Sequence, residues 1–281
     1  MAGARAQTRP SSHYTTIERL RLHHLRWGPA SGPVVVLLHG LRAHAYCWER
    51  LAPSLAPPFQ LLALDFRGHG ESDWSEDGYG TAAYLEDLAA WLDVQELARV
   101  DLIGHSAGGR VAVAYAARHP ERVRRLVVID IGPDVVFRPF DPTLAARPPR
   151  RFRELAEVVA ALRPRYPTVS ATYLRRLAAH SVRRAPEGGW QWKWDQRVRG
   201  QPPPPEAFRA DLRALGCPTL VVRGAERGLL TAEGAARMQA LVADCRVAAI
   251  PGTGHNLHEE RPAALARVVR AFLSGGAEGA G

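Results

Sequence analysis

The sequence predicts an α/β fold: a doubly wound, mostly parallel sheet flanked by helices, with an inserted helical cap. Short apolar runs alternate with segments of helical periodicity on both flanks of the chain, which is the pattern of a parallel sheet. Between them, prolines interrupt the alternation from residue 131 to residue 205. A G-x-S-x-G motif stands where one apolar run gives way to a helical segment, and that context is what gives the motif meaning.

The composition is that of a globular protein. The chain has 281 residues, of which 46% are hydrophobic and 23% are charged, as is usual for a protein with a buried core. Its net charge of +9 comes almost entirely from scattered arginines, since Lys193 is the only lysine. No nucleic-acid-binding module accompanies this charge, so we expect no nucleic-acid partner.

The N-terminal residues, the length of the apolar runs and the spacing of the cysteines indicate the location of the protein and its cofactors. Residues 1–12 contain arginines but no apolar stretch, and no run of 18 apolar residues occurs, so we expect a cytoplasmic protein without a membrane span. Cys47, Cys217 and Cys245 lie far apart and form no C-x-x-C pair, which indicates reduced thiols and no metal site. We expect no cofactor, a small-molecule substrate, and a monomer or homodimer.

The first strands are predicted near the N-terminus. Residues 17–27 alternate loosely and indicate one or two edge strands. Residues 33–38 form a continuous apolar run, which is typical of a strand buried on both faces. A helical segment at 46–55 and a strand at 59–65 follow.

The next elements have the clearest periodicity. Residues 81–94 carry leucines at helical spacing, so one face of this helix is apolar. An apolar run at 100–106 predicts a strand, and a helix runs from there to residue 118. Residues 123–130 form another buried strand.

An inserted cap is predicted for residues 133–205. Helical segments at 152–162 and 173–181 lie among its prolines. Three tryptophans, Trp190, Trp192 and Trp194, need burial, which a linker would not give them. We therefore assign 13–132 and 206–274 to the core, 133–205 to the cap and 275–281 to a disordered tail.

After residue 205 the strand–helix alternation resumes. Strands are predicted at 219–223 and 247–251, and helices at 232–242 and 262–273. In open parallel sheets, ligands bind where the strands end. Five polar residues follow predicted strands at this edge: Ser106, Asp65, Asp130, Glu226 and His255.

The G-x-S-x-G motif at 104–108 centres on Ser106. A serine on a sharp strand-to-helix turn projects its Oγ away from the backbone, and the flanking glycines leave room for neighbouring chain. The helix that follows directs free N–H groups and a positive dipole end toward charge that develops beside the serine. The motif in this context therefore predicts a nucleophilic serine.

Four segments together resemble the α/β-hydrolase superfamily over nearly the whole chain. They are H-G at 39–40, D-F-R-G-H-G-E-S at 65–72, G-H-S-A-G at 104–108 and G-T-G-H at 252–255. The order serine, acid, histidine along the chain is also that of this superfamily. The resemblance implies a serine hydrolase of a cap-bearing, esterase-like branch that takes its acid from an Asp-Ile-x-Pro segment.

Roles for individual residues follow from this resemblance. It implies that Ser106 attacks an acyl carbonyl and that His255 accepts its proton. The backbone N–H groups of Leu41 and Ala107 are expected to form the oxyanion hole.

Two carboxylates could support His255. Many members of the family carry an aspartate in a segment that resembles Arg-Gly-x-x-x-Asp, but this chain has Gly228 at that position. Asp130 closes the preceding strand within the Asp-Ile-x-Pro segment, whereas Glu226 lies on the usual loop, but not at the usual position. We favour Asp130 and keep Glu226 as the alternative acid.

Arg42, Trp192 and Trp194 are candidates for the substrate pocket. Arg42 follows the predicted oxyanion loop and could hold a substrate carboxylate or simply face solvent. The tryptophans could form an acyl-binding wall or join the cap to the core.

The predicted function is hydrolysis of carboxylic esters with short-to-medium acyl groups through an acyl-enzyme on Ser106. The same triad could act on C–C bonds, lactones or thioesters, and the fold alone does not separate these reactions. An alternative of a different class is a ligand-binding member without turnover, which the departure at Gly228 mildly favours.

Overall fold

One eight-stranded sheet forms the centre of the protein, in a computed structural model that describes residues 9–135, 150–198 and 204–275. Its strands are β1 Ser11–Ile17, β2 Leu20–Trp27, β3 Val34–Leu38, β4 Gln60–Leu64, β5 Val100–His105, β6 Val123–Ile129, β10 Thr219–Gly224 and β11 Cys245–Ile250. They lie in the order β1-β2-β4-β3-β5-β6-β10-β11. β2 pairs antiparallel with β1 and β4, and the remaining pairs are parallel. The predicted mostly parallel sheet is confirmed.

Helices cover both faces of this sheet. They are α1 Ala52–Leu55, α2 Thr81–Val94, α3 Ala107–Arg118, α6 Pro205–Arg213, α7 Ala232–Leu241, α8 Leu257–Glu260 and α9 Pro262–Leu273. Successive strand side chains point to opposite faces. In β3, Val36 and Leu38 therefore pack with α2 and α3, whereas Val35 and Leu37 pack with α1 and α9.

The helix predicted at 46–55 is divided in two. A 3-10 turn, Ala45–Trp48, precedes the short helix α1, whose first turn contains Pro53. Proline has no backbone N–H and is tolerated in the first turn of a helix but not in its interior. A new helix therefore begins beside Pro53.

The described part of the inserted segment has mixed secondary structure. Helices α4 Leu155–Leu162 and α5 Ala171–Ser181 accompany a three-stranded antiparallel sheet of β7 Arg151–Phe152, β8 Val182–Arg184 and β9 Trp190–Trp192, with β9 in the centre. The predicted helix from residue 152 begins at Leu155, because Phe152 pairs with Trp190. The cap thus contains strands in addition to the predicted helices.

The cap lies over loops that follow the strands of the main sheet. The Tyr79 hydroxyl, after β4, donates a hydrogen bond to Asp195 Oδ2 at 2.6 Å. After β3, the Tyr46 ring stacks on His180 of α5, with 3.6 Å between the ring centres. These contacts fix the cap at the carboxyl edge of the sheet, where ligands bind in open α/β folds.

Parts of the predicted cap and tail fall outside the described residues. These are 136–149, 199–203 and 276–281, so the boundaries of the cap and the disordered tail stay predictions. Within the described ranges, no helix is long and apolar enough to cross a membrane.

Candidate active site

Ser106 lies at the turn between β5 and α3. Its backbone has φ 53° and ψ −118°, a conformation that non-glycine residues rarely adopt. The turn is so tight that a Cβ on Gly104 would lie 2.4 Å from the Gly108 carbonyl oxygen. A Cβ on Gly108 would in turn lie 2.3 Å from the Leu38 carbonyl oxygen. Close packing therefore requires both glycines of the motif.

Backbone strain is concentrated near this turn. Of the five non-glycine residues with positive φ in the described ranges, three are candidate site residues: Arg42, Ser106 and Asp130, with φ of 60°, 53° and 50°. Each such conformation costs on the order of 1–3 kcal/mol. The surrounding structure must therefore hold these residues in place, and such clusters of strain are typical of functional sites.

The loop after β3 passes beside Ser106. A Cβ on Gly40 would lie 3.2 Å from the Ser106 Cβ, so the next residue, Leu41, borders the nucleophile. Ala107 is the first residue of α3, and an N–H at this position has no acceptor within the helix. The two predicted oxyanion donors thus lie on segments that adjoin Ser106.

His255 and Asp130 form a hydrogen-bonded pair. The distance from His255 Nδ1 to Asp130 Oδ2 is 2.7 Å, and Asp130 is fully buried. Its carboxylate also accepts hydrogen bonds from the backbone N–H groups of Gly224, Leu229 and Leu230, at 3.1, 2.6 and 3.4 Å. When Nδ1 donates to this carboxylate, Nε2 of His255 is left to accept a proton.

His105 joins the loop of His255 to the Ser106 turn. Its Nε2 lies 2.9 Å from the His255 carbonyl oxygen, and the two rings are 4.5 Å apart. Burial lowers the pKa of His105 well below its usual value, so its neutral ring donates this bond from Nε2. The Ser106 hydroxyl has no hydrogen-bond partner among the described residues, and such catalytic bonds often form only when substrate is bound.

Glu226 forms no hydrogen bond or ion pair with His255, whose Nδ1 is bonded to Asp130. Its Oε1 accepts a hydrogen bond from the backbone N–H of Gly252 at 3.0 Å. Gly228 instead faces the acid of the pair, because a Cβ there would lie 2.4 Å from Asp130 Oδ1. The Asp130 carboxylate therefore occupies the space that a side chain at position 228 would need.

A cavity of about 190 Å³ lies between the cap and the core. Arg42, Trp192 and Trp194 all line it. The Arg42 guanidinium lies over the Trp194 ring, 4.7 Å from its centre, which is a cation–π geometry. Trp192 also packs edge-on against Phe152 within the cap, 5.0 Å between centres. Both tryptophans thus line the cavity, and Trp192 also packs within the cap, whereas Trp194 contacts Arg42 of the core.

Arg165 is a site residue that no sequence motif marks. It lines the same cavity, and its Nη2 donates a hydrogen bond to the Leu41 carbonyl oxygen at 3.3 Å. Its own carbonyl accepts a hydrogen bond from Asn256 Nδ2 at 3.1 Å. Arg165 therefore connects the predicted oxyanion loop with the loop of His255, across segments that are distant in sequence.

Glu259 is a second unpredicted group near the site. It is fully buried, and its Oε1 accepts a hydrogen bond from the Tyr173 hydroxyl of the cap at 2.9 Å. Burial raises the pKa of Glu259 to about 8. Among the residues that the structure describes, no three His, Cys, Asp or Glu side chains cluster as a metal site.

Comparison with known proteins places this geometry in a family. A family model described as the alpha/beta hydrolase fold matches residues 33–262. The chain is 31% identical over 250 residues to the 2-(acetamidomethylene)succinate hydrolase of Mesorhizobium japonicum. This match covers 86% of this chain and 88% of that protein. It is also 31% identical over 262 residues to the esterase Rv0045c of Mycobacterium tuberculosis, with coverage of 89% and 85%.

A solved structure agrees with these matches. The crystal structure of E-2-(acetamidomethylene)succinate hydrolase has a TM-score of 0.81 to this chain at 29% identity, and the match covers 95% of this chain and 100% of the other. The family match spans most of the chain, and both relatives are named for hydrolytic activity. The resemblance seen in the sequence is confirmed: the chain belongs to the α/β-hydrolase fold family.

Proposed function

We propose that the protein is a serine hydrolase that cleaves carboxylic esters through an acyl-enzyme on Ser106. The observation that carries the proposal is the 2.7 Å contact between His255 Nδ1 and buried Asp130, on loops that adjoin the strained Ser106 turn. A carboxylate that fixes one tautomer of a histidine near a serine suits acyl transfer. Similarity to an esterase over most of both chains supports the same chemistry.

In this mechanism, Ser106 Oγ attacks the ester carbonyl while His255 Nε2 takes the hydroxyl proton. Asp130 holds the imidazole with its proton on Nδ1 and stabilises the imidazolium that forms. The oxyanion accepts hydrogen bonds from the Leu41 and Ala107 N–H groups, each worth about 3 kcal/mol in the transition state. His255 then protonates the leaving alcohol, and water releases the acid from the acyl-enzyme by the same route.

The proposal takes the cavity between the cap and the core as the acyl site; Ser106 and His255 do not line it, but Arg42, next to the expected oxyanion donor Leu41, does. A cavity of this size favours a small acyl group. Its volume of about 190 Å³ is below the roughly 300–1,000 Å³ of sites for drug-sized ligands. Trp192 and Trp194 supply rigid aromatic walls. We therefore expect activity to decline as the acyl chain lengthens, and a preference for long-chain triglycerides would count against this part of the proposal.

Nitrophenyl esters test the proposed chemistry. The protein should release a burst of nitrophenol from 4-nitrophenyl butyrate and should be labelled by a fluorophosphonate. Ser106→Ala should abolish both, whereas Ser54→Ala, at an exposed serine of α1, should retain both. Saturable binding of esters without Ser106-dependent turnover would falsify the proposal and would indicate a ligand-binding member of the family.

A second candidate is hydrolysis of 2-(acetamidomethylene)succinate or a similar compound. The relative named for this substrate shares 31% identity over 88% of its length, which favours the candidate. Loss of this compound in the presence of the protein, abolished by Ser106→Ala, would support it. If its kcat/KM exceeds that of 4-nitrophenyl butyrate, the ester is the secondary substrate.

A further inference from the structure

We infer that the substrate carries a carboxylate, which Arg42 and Arg165 bind between the cap and the core. The inference rests on the proposed function, because it names the substrate class of that same site. Both side chains line the cavity of about 190 Å³. Arg42 reaches it from the core, after the predicted oxyanion loop, and Arg165 reaches it from the cap.

Within the described part of the chain, neither guanidinium forms an ion pair. Among the described residues, no carboxylate lies within 4.0 Å of Arg42 or Arg165. By contrast, two other arginines of the cap form ion pairs: Arg151 with Glu187 at 3.0 Å and Arg176 with Glu49 at 2.9 Å. Partial desolvation at the cavity and, second, the positive charge of Arg165 lower the pKa of Arg42, while both residues keep exposed surface. Two like charges at one cavity repel each other, and an anion bound between them would relieve that repulsion.

Each arginine is held by contacts that leave its charge available. Arg42 has a positive φ of 60° and lies over the Trp194 ring. Arg165 donates one hydrogen bond, from Nη2 to the Leu41 carbonyl oxygen, and keeps its other guanidinium N–H groups for a ligand. The planar guanidinium group binds a carboxylate through two parallel hydrogen bonds.

The pair lies close to the predicted reaction centre. Arg165 contacts Leu41, which follows the glycine that adjoins Ser106. Its carbonyl is bonded to Asn256, the residue after His255. A carboxylate held by both arginines is therefore separated from the scissile carbonyl by only a short chain. The class of substrate that fits is a half-ester of a short dicarboxylic acid.

The charge of the cap agrees with an anionic substrate. Residues 150–198 contain eleven Lys or Arg and four Asp or Glu, a net charge of +7. A field of this sign over a cleft raises the rate at which anions enter it, and added salt screens the effect.

Calorimetry in a Ser106→Ala background tests binding without turnover, so its result does not depend on esterase activity. Glutarate should bind saturably, and the neutral dimethyl glutarate should bind about tenfold or more weakly. Arg42→Gln and Arg165→Gln should each weaken glutarate binding by about 10- to 100-fold. Arg175→Gln changes an exposed cap arginine that contacts Thr172 and should not weaken it. No saturable binding, or equal weakening in all three variants, overturns the inference.

Kinetics separates binding of the carboxylate from positioning of the loop. After correction for spontaneous hydrolysis, 4-nitrophenyl hydrogen glutarate should exceed 4-nitrophenyl pentanoate in kcat/KM by about tenfold or more. Arg165→Gln should lower that ratio about tenfold, and added salt should lower it in the wild type. If Arg165→Gln slows both esters equally, Arg165 positions the Leu41 loop and does not bind the carboxylate.

Discussion

Gly228→Ala is the substitution that most directly tests how the acid of the proposed triad is placed. The added Cβ would lie 2.4 Å from Asp130 Oδ1 and 2.8 Å from the Gly224 carbonyl oxygen. Gly228 does not have a positive φ, so its backbone conformation is open to alanine. The substitution therefore acts through this steric contact.

The magnitude follows from the displacement that the contact requires. An ordinary contact of a Cβ begins at 3.4 Å, so the carboxylate or the loop that holds it must move by about 1 Å. A 1 Å misplacement near a reacting group costs about 10²-fold in rate. If the movement breaks the 2.7 Å bond to His255, loss of the correct tautomer raises the cost to about 10⁴-fold. We expect kcat to fall within this range, with little change in KM.

Steady-state kinetics with 4-nitrophenyl butyrate measures the effect, and circular dichroism checks that the variant is folded. Gly216→Ala is the matched control, because its added Cβ would lie 3.7 Å from the nearest atom, on Pro120. If folded Gly228→Ala keeps kcat within about threefold of the wild type, well short of the expected loss, the reasoning about Asp130 is refuted.

A double substitution extends the same test. Asp130→Ala removes the acid and empties the space in front of position 228. Adding Gly228→Asp should then recover part of the lost kcat, although Gly228→Asp alone should be inactive, so the two effects should be strongly non-additive. The contact with the Gly224 carbonyl oxygen remains at 2.8 Å, which limits the recovery.

Glu259, Asp87 and Gly108 give three more expectations. Burial raises the pKa of Glu259 from its ordinary 4.5 to about 8, so the folded protein holds this proton more tightly than the unfolded chain and stability should fall as pH rises between these values. Glu259→Gln should flatten the dependence of Tm on pH between pH 5 and pH 8, and an unchanged slope would contradict this account. Asp87→Ala leaves the buried Arg67 guanidinium without the carboxylate that its Nε contacts at 2.6 Å. Its free energy of unfolding, measured with urea, should drop by about 3–5 kcal/mol, and a loss below about 1 kcal/mol would argue against an uncompensated buried charge. Gly108→Ala would bring a Cβ within 2.3 Å of the Leu38 carbonyl oxygen and should abolish hydrolysis, whereas retained turnover would show that the turn can widen.

The main sheet could be predicted because its signals are local. The strand expected at 33–38 is β3, Val34–Leu38, and its continuous apolar run reflects burial on both faces. Helix α9, Pro262–Leu273, begins with a proline in its first turn, as the pattern indicates. The cap strands had no such signal, because two or three residues show no periodicity. Their pairing joins Phe152 to Trp190, which are distant in sequence.

In the candidate site, too, residues marked by local motifs could be predicted, and residues defined by contacts between distant segments could not. Ser106 and His255 stand in short motifs whose residue types are fixed by local geometry, so sequence alone could single them out. Arg165 could not be found this way, because its importance comes from contacts with two loops that are far away in the chain. The sequence alone also left open whether Asp130 or Glu226 is the acid that supports His255, although it favoured Asp130.

Gly228 shows why the choice between Asp130 and Glu226 required the three-dimensional structure. In the sequence it reads as a missing aspartate, which mildly favours a protein without turnover. In the structure, the Asp130 carboxylate fills the space in front of Gly228 and accepts hydrogen bonds from the backbone of the same loop. Only one of the two positions can carry a side chain here. The departure at 228 is therefore what an acid placed at the end of β6 requires, and it supports the proposed triad.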